Sequence, residues 1–298
     1  MRNTFIDELT KITSLKTNTM LLVGDLGFSV VENFCKKHPR NFINAGIAEQ
    51  NMSGIAAGLA SEGYRVFTYS IGNFNTFRCA EQIRNDIDYH NFAVTIVSVG
   101  GGLSYGSLGY SHHLIQDYAL MRSFPNMTLY TPTTSNQVKQ CLKQIIKSKS
   151  PSYLRLGRTN IITKENDNYE RKFRPGGWYL MKKSKNKNSK KCIVVTGDVL
   201  NDALNMIKKK KYQDYHIFSV PVWGMKLKKT QENEIKKWDE VITLEDHLED
   251  GGFGSYILEC SNSCKKLHTK IKIKSLDKKI CGLVGSQEDI KKITRFAN

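Results

Sequence analysis

The sequence has no long apolar segment and no paired-cysteine motif. Nowhere in the chain is there an apolar run of about 18 residues, so no membrane span is expected. The first nine residues carry charges where a signal peptide has its apolar core. The seven cysteines are scattered and include no Cys-x-x-Cys pair. This pattern predicts free thiols in a reducing cytoplasm.

Acidic residues are scarce: 28 Asp and Glu face 45 Lys and Arg, which gives a net charge of +17. Such an excess raises the question of nucleic-acid binding. No aromatic-interleaved basic strand and no zinc-finger spacing accompanies the lysines, so we interpret them as a solvated surface and expect no nucleic-acid partner. The charge also suits phosphorylated substrates or an acidic partner subunit. The lysine clusters are Lys182–Lys191, Lys208–Lys211, Lys226–Lys229 and Lys265–Lys278.

The length of 298 residues predicts about two domains. Short apolar runs alternate with helical patterns in both halves, which indicates an α/β fold with two mainly parallel sheets flanked by helices. We predict a first domain over residues 1–163, a polar and basic linker over 164–191 and a second domain over 192–298.

One acidic helix start is a candidate site. The apolar pair Phe42-Ile43 leads into Gly46, and Glu49 then stands in the first turn of a small-residue helix. The partial positive charge of a helix N-terminus stabilises a carboxylate there. A buried acidic first turn with no other role also accounts for this pattern.

A second candidate is the loop after the apolar run 92–99. Five glycines in residues 100–113 indicate unusual dihedrals or close approach to a ligand. Their spacing fits neither the P-loop nor the dinucleotide fingerprint. His112 and His113 have no acidic or cysteine neighbours at metal-ligand spacing, so no metal site is predicted here.

Four segments, in this order, resemble the transketolase superfamily. They are Gly46-Ile47-Ala48-Glu49-Gln50, the aromatic turn with the R-x-x-E-Q-I-R helix at 74–84, Gly109-Tyr110-Ser111-His112-His113, and the strand end at 155–158. The resemblance covers nearly the whole chain but only the C-terminal part of a full-length transketolase. It implies a pyrimidine-binding domain followed by the family's C-terminal domain.

The resemblance implies contacts with thiamine diphosphate. Glu49 would meet the aminopyrimidine ring and activate the cofactor, and Asp25 would lie near the thiazolium. Phe74 would stack on the aminopyrimidine, with Phe77 beside it. Read without the resemblance, Asp25 is equally a helix cap, and the two phenylalanines are equally ordinary core residues.

Substrate contacts are implied as well. His112 would face the substrate as a catalytic residue with His113 next to it, and Arg158 would bind a sugar phosphate. Two positions depart from the family pattern. Leu108 replaces an aspartate that reads a sugar hydroxyl, and Gly100 replaces a phosphate-binding histidine. These departures indicate a specialised sugar pathway within carbohydrate metabolism.

The family's diphosphate motif is missing. Only Gly24-Asp25-Leu26 and Gly197-Asp198-Val199 approach the Gly-Asp-Gly segment, and neither has the second glycine or the asparagine that follows it in the family. The resemblance therefore implies the C-terminal subunit of a split transketolase, a transferase that moves a two-carbon ketol unit between sugars, expected to be phosphorylated. An N-terminal subunit would hold the diphosphate and Mg²⁺, and this chain would self-dimerise within a heterotetramer.

Two alternatives stay open. Ser111-His112-His113 and the pair Arg155 and Arg158 also resemble 1-deoxyxylulose-5-phosphate synthase, of which the chain would be one half. A catalytically silent assembly subunit is the other alternative.

Overall fold

The computed structural model describes residues 1–16, 18–158, 173–262 and 268–294, which fold around two β-sheets. The strands are β1 (Thr19–Val23), β2 (Phe42–Asn44), β3 (Arg65–Ile71), β4 (Val94–Val99), β5 (Thr128–Tyr130), β6 (Ser152–Leu156), β7 (Tyr179–Lys182), β8 (Lys191–Thr196), β9 (His216–Ser219), β10 (Val222–Trp223), β11 (Glu240–Leu248) and β12 (Lys270–Leu276). The helices are α1 (Arg2–Leu15), α2 (Glu32–Lys37), α3 (Glu49–Ser61), α4 (Gly72–Thr76), α5 (Ala80–Gln82), α6 (Asp117–Met121), α7 (Ser135–Lys147), α8 (Leu200–Met206), α9 (Lys228–Ile235), α10 (Phe253–Asn262) and α11 (Gln287–Thr294).

The first sheet has seven strands in the order β10-β5-β6-β4-β3-β1-β2. All neighbours are parallel except β10, which runs antiparallel to β5. Every residue of β1, β4 and β6 is buried, because helices cover both faces of the sheet. The carboxyl ends of β1, β3 and β4 therefore meet at one edge, where parallel sheets carry their ligand sites.

The second sheet has five strands in the order β12-β11-β8-β9-β7, and only β7 runs antiparallel to its neighbour. The predicted α/β class with two mainly parallel sheets is confirmed. No helix in the described part of the chain has both the length and the apolarity that a bilayer span requires. None of the six cysteines in the described residues is joined in a disulfide.

Two strands join a sheet that the predicted domain limits do not assign to them. β7 lies within the range predicted as linker, 164–191, and joins the second sheet. β10 lies within the predicted second domain and joins the first sheet. Residues 159–163 of the predicted first domain and 164–172 of the predicted linker lie outside the described residues, so the domain boundaries stay a prediction.

Trp223 of β10 packs between the two halves of the molecule. Its indole Nε1 donates a 2.9 Å hydrogen bond to the Thr131 hydroxyl. The ring packs edge-on against Tyr118 of α6 and Phe253 of α10, with centroids 5.1 and 5.2 Å away. A fully buried tryptophan shared by helices of both halves makes their packing interdependent.

We therefore expect Trp223→Ala to lower the free energy of unfolding by about 3–5 kcal/mol, because it leaves a large cavity. Urea denaturation followed by circular dichroism measures the change. Tyr89→Ala is the control: Tyr89 is 78% exposed, and its loss is expected to cost less than about 0.5 kcal/mol. Equal stability of the two variants would contradict the role assigned to Trp223.

Candidate active site

Glu49 lies at the edge of the first sheet where the parallel strands end. It is the first residue of α3, and its side chain is only 1% exposed. The Ser70 hydroxyl, on β3, donates to Oε1 over 3.4 Å. A Cβ on Gly24, directly after β1, would come within 3.2 Å of the Glu49 side chain, so glycine at that position admits the carboxylate. The helix N-terminus and this hydroxyl stabilise the buried charge.

Arg78 completes the surroundings of Glu49. Its Nη1 donates a 2.6 Å hydrogen bond to Oε2 of Glu49. The same guanidinium lies over the Phe74 ring, with Cζ 4.7 Å from the ring centroid. One planar cation thus hydrogen-bonds the carboxylate and covers the aromatic face at the same time. Sequence reasoning did not assign Arg78 a role, although it begins the R-x-x-E-Q-I-R segment.

Phe74 connects this pair to the glycine-rich loop. The Phe74 ring meets the His112 ring edge-on, with centroids 5.2 Å apart. Its neighbour Asn73 donates through Nδ2 to the carbonyls of Ser111 and His113, over 2.8 and 3.1 Å. Helix α4 therefore holds the histidine segment by two hydrogen bonds and one ring contact. Asn73 is a second residue that sequence reasoning missed, because its partners lie far along the chain.

The two adjacent histidines have different surroundings. His112 is half-buried, and its Nδ1 lies 3.0 Å from the Ser111 hydroxyl. Partial burial, and secondarily the neighbouring His113, lower the pKa of His112, which favours the neutral form of its ring. His113 is buried inside the loop, with Nε2 3.3 Å from the Gly106 carbonyl. The structure thus leaves His112 partly accessible and encloses His113.

Arg158 stands on the other side of the same loop. Its Nη1 donates to the Ser104 carbonyl over 3.2 Å, and its guanidinium lies 5.5 Å from the centre of the Tyr105 ring. Tyr105 in turn lies 6.5 Å from the His112 ring. The exposed Arg158 and the half-buried His112 therefore flank one tyrosine, a geometry in which a cation and a neutral imidazole could meet the same small molecule.

Asp25 occupies a left-handed backbone conformation with φ of 52°. Asn44, at the end of β2, fixes it from both sides: its amide Nδ2 donates to Asp25 Oδ1 over 3.0 Å, and its Oδ1 accepts from the Asp25 N–H over 3.1 Å. The same oxygen accepts from the Gly46 N–H over 3.0 Å. A non-glycine residue held in this conformation costs free energy, and such strain is concentrated at functional sites. Asn44 was not predicted to take part.

The structure thus brings some of the predicted site residues together and leaves others apart. Glu49, Phe74 and His112 are linked into one row through Arg78 and direct ring contact. Phe77 directly follows α4, at the first position of a short 3₁₀ turn, and 44% of its surface is exposed. Among the described residues, no group of three or more His, Cys, Asp or Glu side chains is arranged to hold a metal ion.

Comparisons with known proteins show the family of the chain. Residues 1–163 match the family described as transketolase, pyrimidine binding domain. A putative transketolase C-terminal section from Methanocaldococcus jannaschii is 34% identical over 278 residues, covering 92% of this chain and 86% of that protein. A subunit of an apulose-4-phosphate transketolase from Phocaeicola vulgatus is 30% identical, covering 87% of this chain and 82% of that protein.

A solved structure extends the similarity to the whole fold. It is described as a split gene transketolase, inactive beta4 tetramer. It superposes with a TM-score of 0.78 at 27% identity, covering 93% of this chain and 88% of that chain. These similarities lead to one conclusion: the chain belongs to the transketolase family and is similar to the C-terminal chains of split transketolases.

Proposed function

We propose that this chain is the C-terminal subunit of a two-chain, thiamine-diphosphate-dependent transketolase that moves a two-carbon ketol unit between sugars, phosphorylated ones in particular. The observation that carries the proposal is the row formed by Glu49, Phe74 and His112 at the edge of the first sheet. The similarity to a transketolase C-terminal section and to a subunit of a second transketolase, over most of the chain, supports it.

The described residues fit the pyrimidine end of the cofactor. The Arg78 guanidinium lies over Phe74 and hydrogen-bonds Glu49, so the space beside these two side chains admits a flat group with hydrogen-bond donors. An aminopyrimidine ring is such a group. A bound aminopyrimidine would replace Arg78 in its contacts with Glu49 and Phe74. The Arg78 side chain is 43% exposed, so it can move toward solvent.

When bound, thiamine diphosphate supplies an electron sink for breaking a carbon–carbon bond beside a ketone. The buried Glu49 would hold a proton in a hydrogen bond at the pyrimidine ring nitrogen. Phe74 would fix the plane of that ring, a stacking contact worth about 0.5–1.5 kcal/mol. Asp25, held by Asn44, would face the cofactor from the adjoining strand end.

His112 and Arg158 would act on the sugar. A neutral His112 can accept a hydrogen bond or a proton from a sugar hydroxyl and return it. Arg158 would pair with a phosphate oxygen, a role for which the guanidinium geometry is suited. His113 contributes by its bond to Gly106, which shapes the loop from inside. Phe77 would line the outer rim of the cofactor pocket.

The diphosphate and Mg²⁺ would be held by a separate N-terminal subunit. The rim of the site offers an apolar surface to such a chain: Phe28 and Ile47 flank Asp25 and Glu49 in sequence and are 81% and 79% exposed. Large apolar side chains exposed to this degree are typical of protein interfaces. We propose that two copies of each chain form a heterotetramer located in the cytoplasm.

Reconstitution tests the proposal. This chain would be purified with the chain that supplies the diphosphate site and assayed with a ketose phosphate donor and an aldose phosphate acceptor. Ketol transfer that requires both chains would support it. Formation of a five-carbon product from pyruvate and glyceraldehyde phosphate would instead favour the 1-deoxyxylulose-5-phosphate synthase alternative. Absence of both activities, in a complex that forms, would favour the silent subunit.

We expect Glu49→Gln to lower ketol transfer by about a hundredfold or more, because an amide cannot hold the ring proton as a carboxylate does. The glutamine oxygen still accepts from Arg78, so the thermal midpoint should change little. Glu62→Gln, at the exposed opposite end of α3, is the matched control and should retain full activity. Unchanged turnover of the Glu49 variant would refute its assigned role.

We expect transfer to fall as the pH drops through the pKa of His112, since only the neutral ring can accept a proton. Because burial lowers that pKa, the acid limb of the rate profile should lie below the ordinary value of about 6.5. In His112→Asn the remaining activity should lose this limb, while His90→Asn, on the surface, should keep it. An identical acid limb in His112→Asn would show that another group titrates.

A further inference from the structure

The glycine-rich loop rests on a buried ion cluster that the second domain completes. Arg155 of β6 is fully buried, and its Nη2 donates to the Leu114 carbonyl over 2.6 Å. Its Nη1 donates over 2.6 Å to Oδ1 of Asp246, a buried residue of β11 in the second sheet. Asp117 lies on the other side, with Oδ2 3.0 Å from the Arg155 Nε. One guanidinium therefore joins a loop carbonyl to a carboxylate from the other sheet.

The first residues of the loop pack against the same cluster. A Cβ on Gly101 would lie 2.9 Å from Arg155 Nη1, and one on Gly102 would lie 2.6 Å from Asp246 Oδ2. Gly102 and Leu114 exchange two backbone hydrogen bonds of 2.9 Å each. Backbone hydrogen bonds thus join the two ends of the loop next to the Arg155–Asp246 pair. Leu114, at one of these ends, is only two residues from His112.

Apolar contacts with the second domain continue along the loop. Leu103 and Ile115 belong to one buried cluster with Leu276, Ile280 and Ile290, which follow β11 in the chain. The Gly285 N–H also donates to the Gly106 carbonyl over 3.2 Å. Both the polar base and the apolar flank of the loop therefore depend on the second domain.

We infer that Asp246 is a positioning residue: it holds Arg155, which holds the Leu114 carbonyl, and so fixes the loop that presents His112 to the substrate. The second domain thereby acts on the substrate side of the site without touching the substrate. The kinetic part of this inference rests on the proposed function. The structural part, that Asp246 orders the loop, does not.

The charge of the cluster makes Asp246 a suitable residue to change. Arg155 faces two carboxylates, so removal of one leaves it paired with Asp117 and no uncompensated cation is buried. Asp246→Asn keeps an oxygen that can accept from Nη1, whereas Asp246→Ala removes it. The neighbouring buried Glu245 offers a matched control, because it accepts from the Phe253 and Gly254 N–H groups at the start of α10 and not from Arg155.

Hydrogen exchange with mass spectrometry on the isolated chain tests the structural part. In Asp246→Ala, peptides covering 100–116 should exchange at least about tenfold faster, because Gly102 and Leu114 lose the support beneath their pairing. Asp246→Asn should lie between Asp246→Ala and the native chain. Peptides of α3 should be unchanged in all variants, and Glu245→Gln should leave 100–116 unchanged. Native exchange of the loop in Asp246→Ala would overturn the inference.

Kinetics of the reconstituted enzyme test the consequence. Asp246→Ala should lower kcat/KM for the acceptor sugar by about ten- to a hundredfold, as expected for a displaced catalytic group, while the Kd for thiamine diphosphate changes less than about twofold. Asp246→Asn should recover part of the loss. A parallel fall in cofactor affinity would indicate general damage and overturn the inference. If the native complex shows no transfer, the proposed function fails, and the exchange experiment still decides the role of Asp246.

Discussion

The buried guanidinium of Arg155 is the constraint on which the two halves of the molecule depend. A cation removed from water is stable only where acceptors surround it at hydrogen-bond distance. Here the acceptors come from two parts of the chain: the Leu114 carbonyl and Asp117 at the end of the loop, and Asp246 on the second sheet. Their positions are therefore set by one another, and the loop between β4 and α6 cannot be placed independently of the second sheet.

The site itself is built in the same way, by a row of short contacts across strand ends. Gly24 leaves room for the Glu49 carboxylate, Arg78 bonds that carboxylate, and its guanidinium covers Phe74, whose ring touches His112. Asn73 adds two hydrogen bonds from the same short helix to the histidine segment. Because the row starts at the edge of the parallel sheet and ends on the loop, the cofactor-side and substrate-side residues are aligned by packing rather than by chain proximity.

Much of this organisation could be predicted from the sequence. Continuous apolar runs indicated β1 and β4, and the carboxylate that opens a small-residue helix identified Glu49, because these signals are local. The family and the fold class predicted from the four motifs are confirmed.

Other features depend on contacts distant in sequence and carry no local signal. β10 is two residues long and closely follows β9, so nothing in its sequence shows that it joins the other sheet. β12 alternates lysine and isoleucine at a sheet edge, where its charges resemble a solvated surface. Arg78, Asn73 and Asp246 have ordinary residue neighbours, and only the fold reveals their partners.

We propose that this chain holds the pyrimidine half of a cofactor site whose diphosphate half lies on another chain. Calorimetric titration of thiamine diphosphate with Mg²⁺ tests it most directly, first into this chain alone and then into its complex with the chain that supplies the diphosphate site. We expect little or no heat from the isolated chain and tight, saturable binding by the complex. Equally tight binding by the isolated chain would contradict the proposal, because this chain would then contain a complete site.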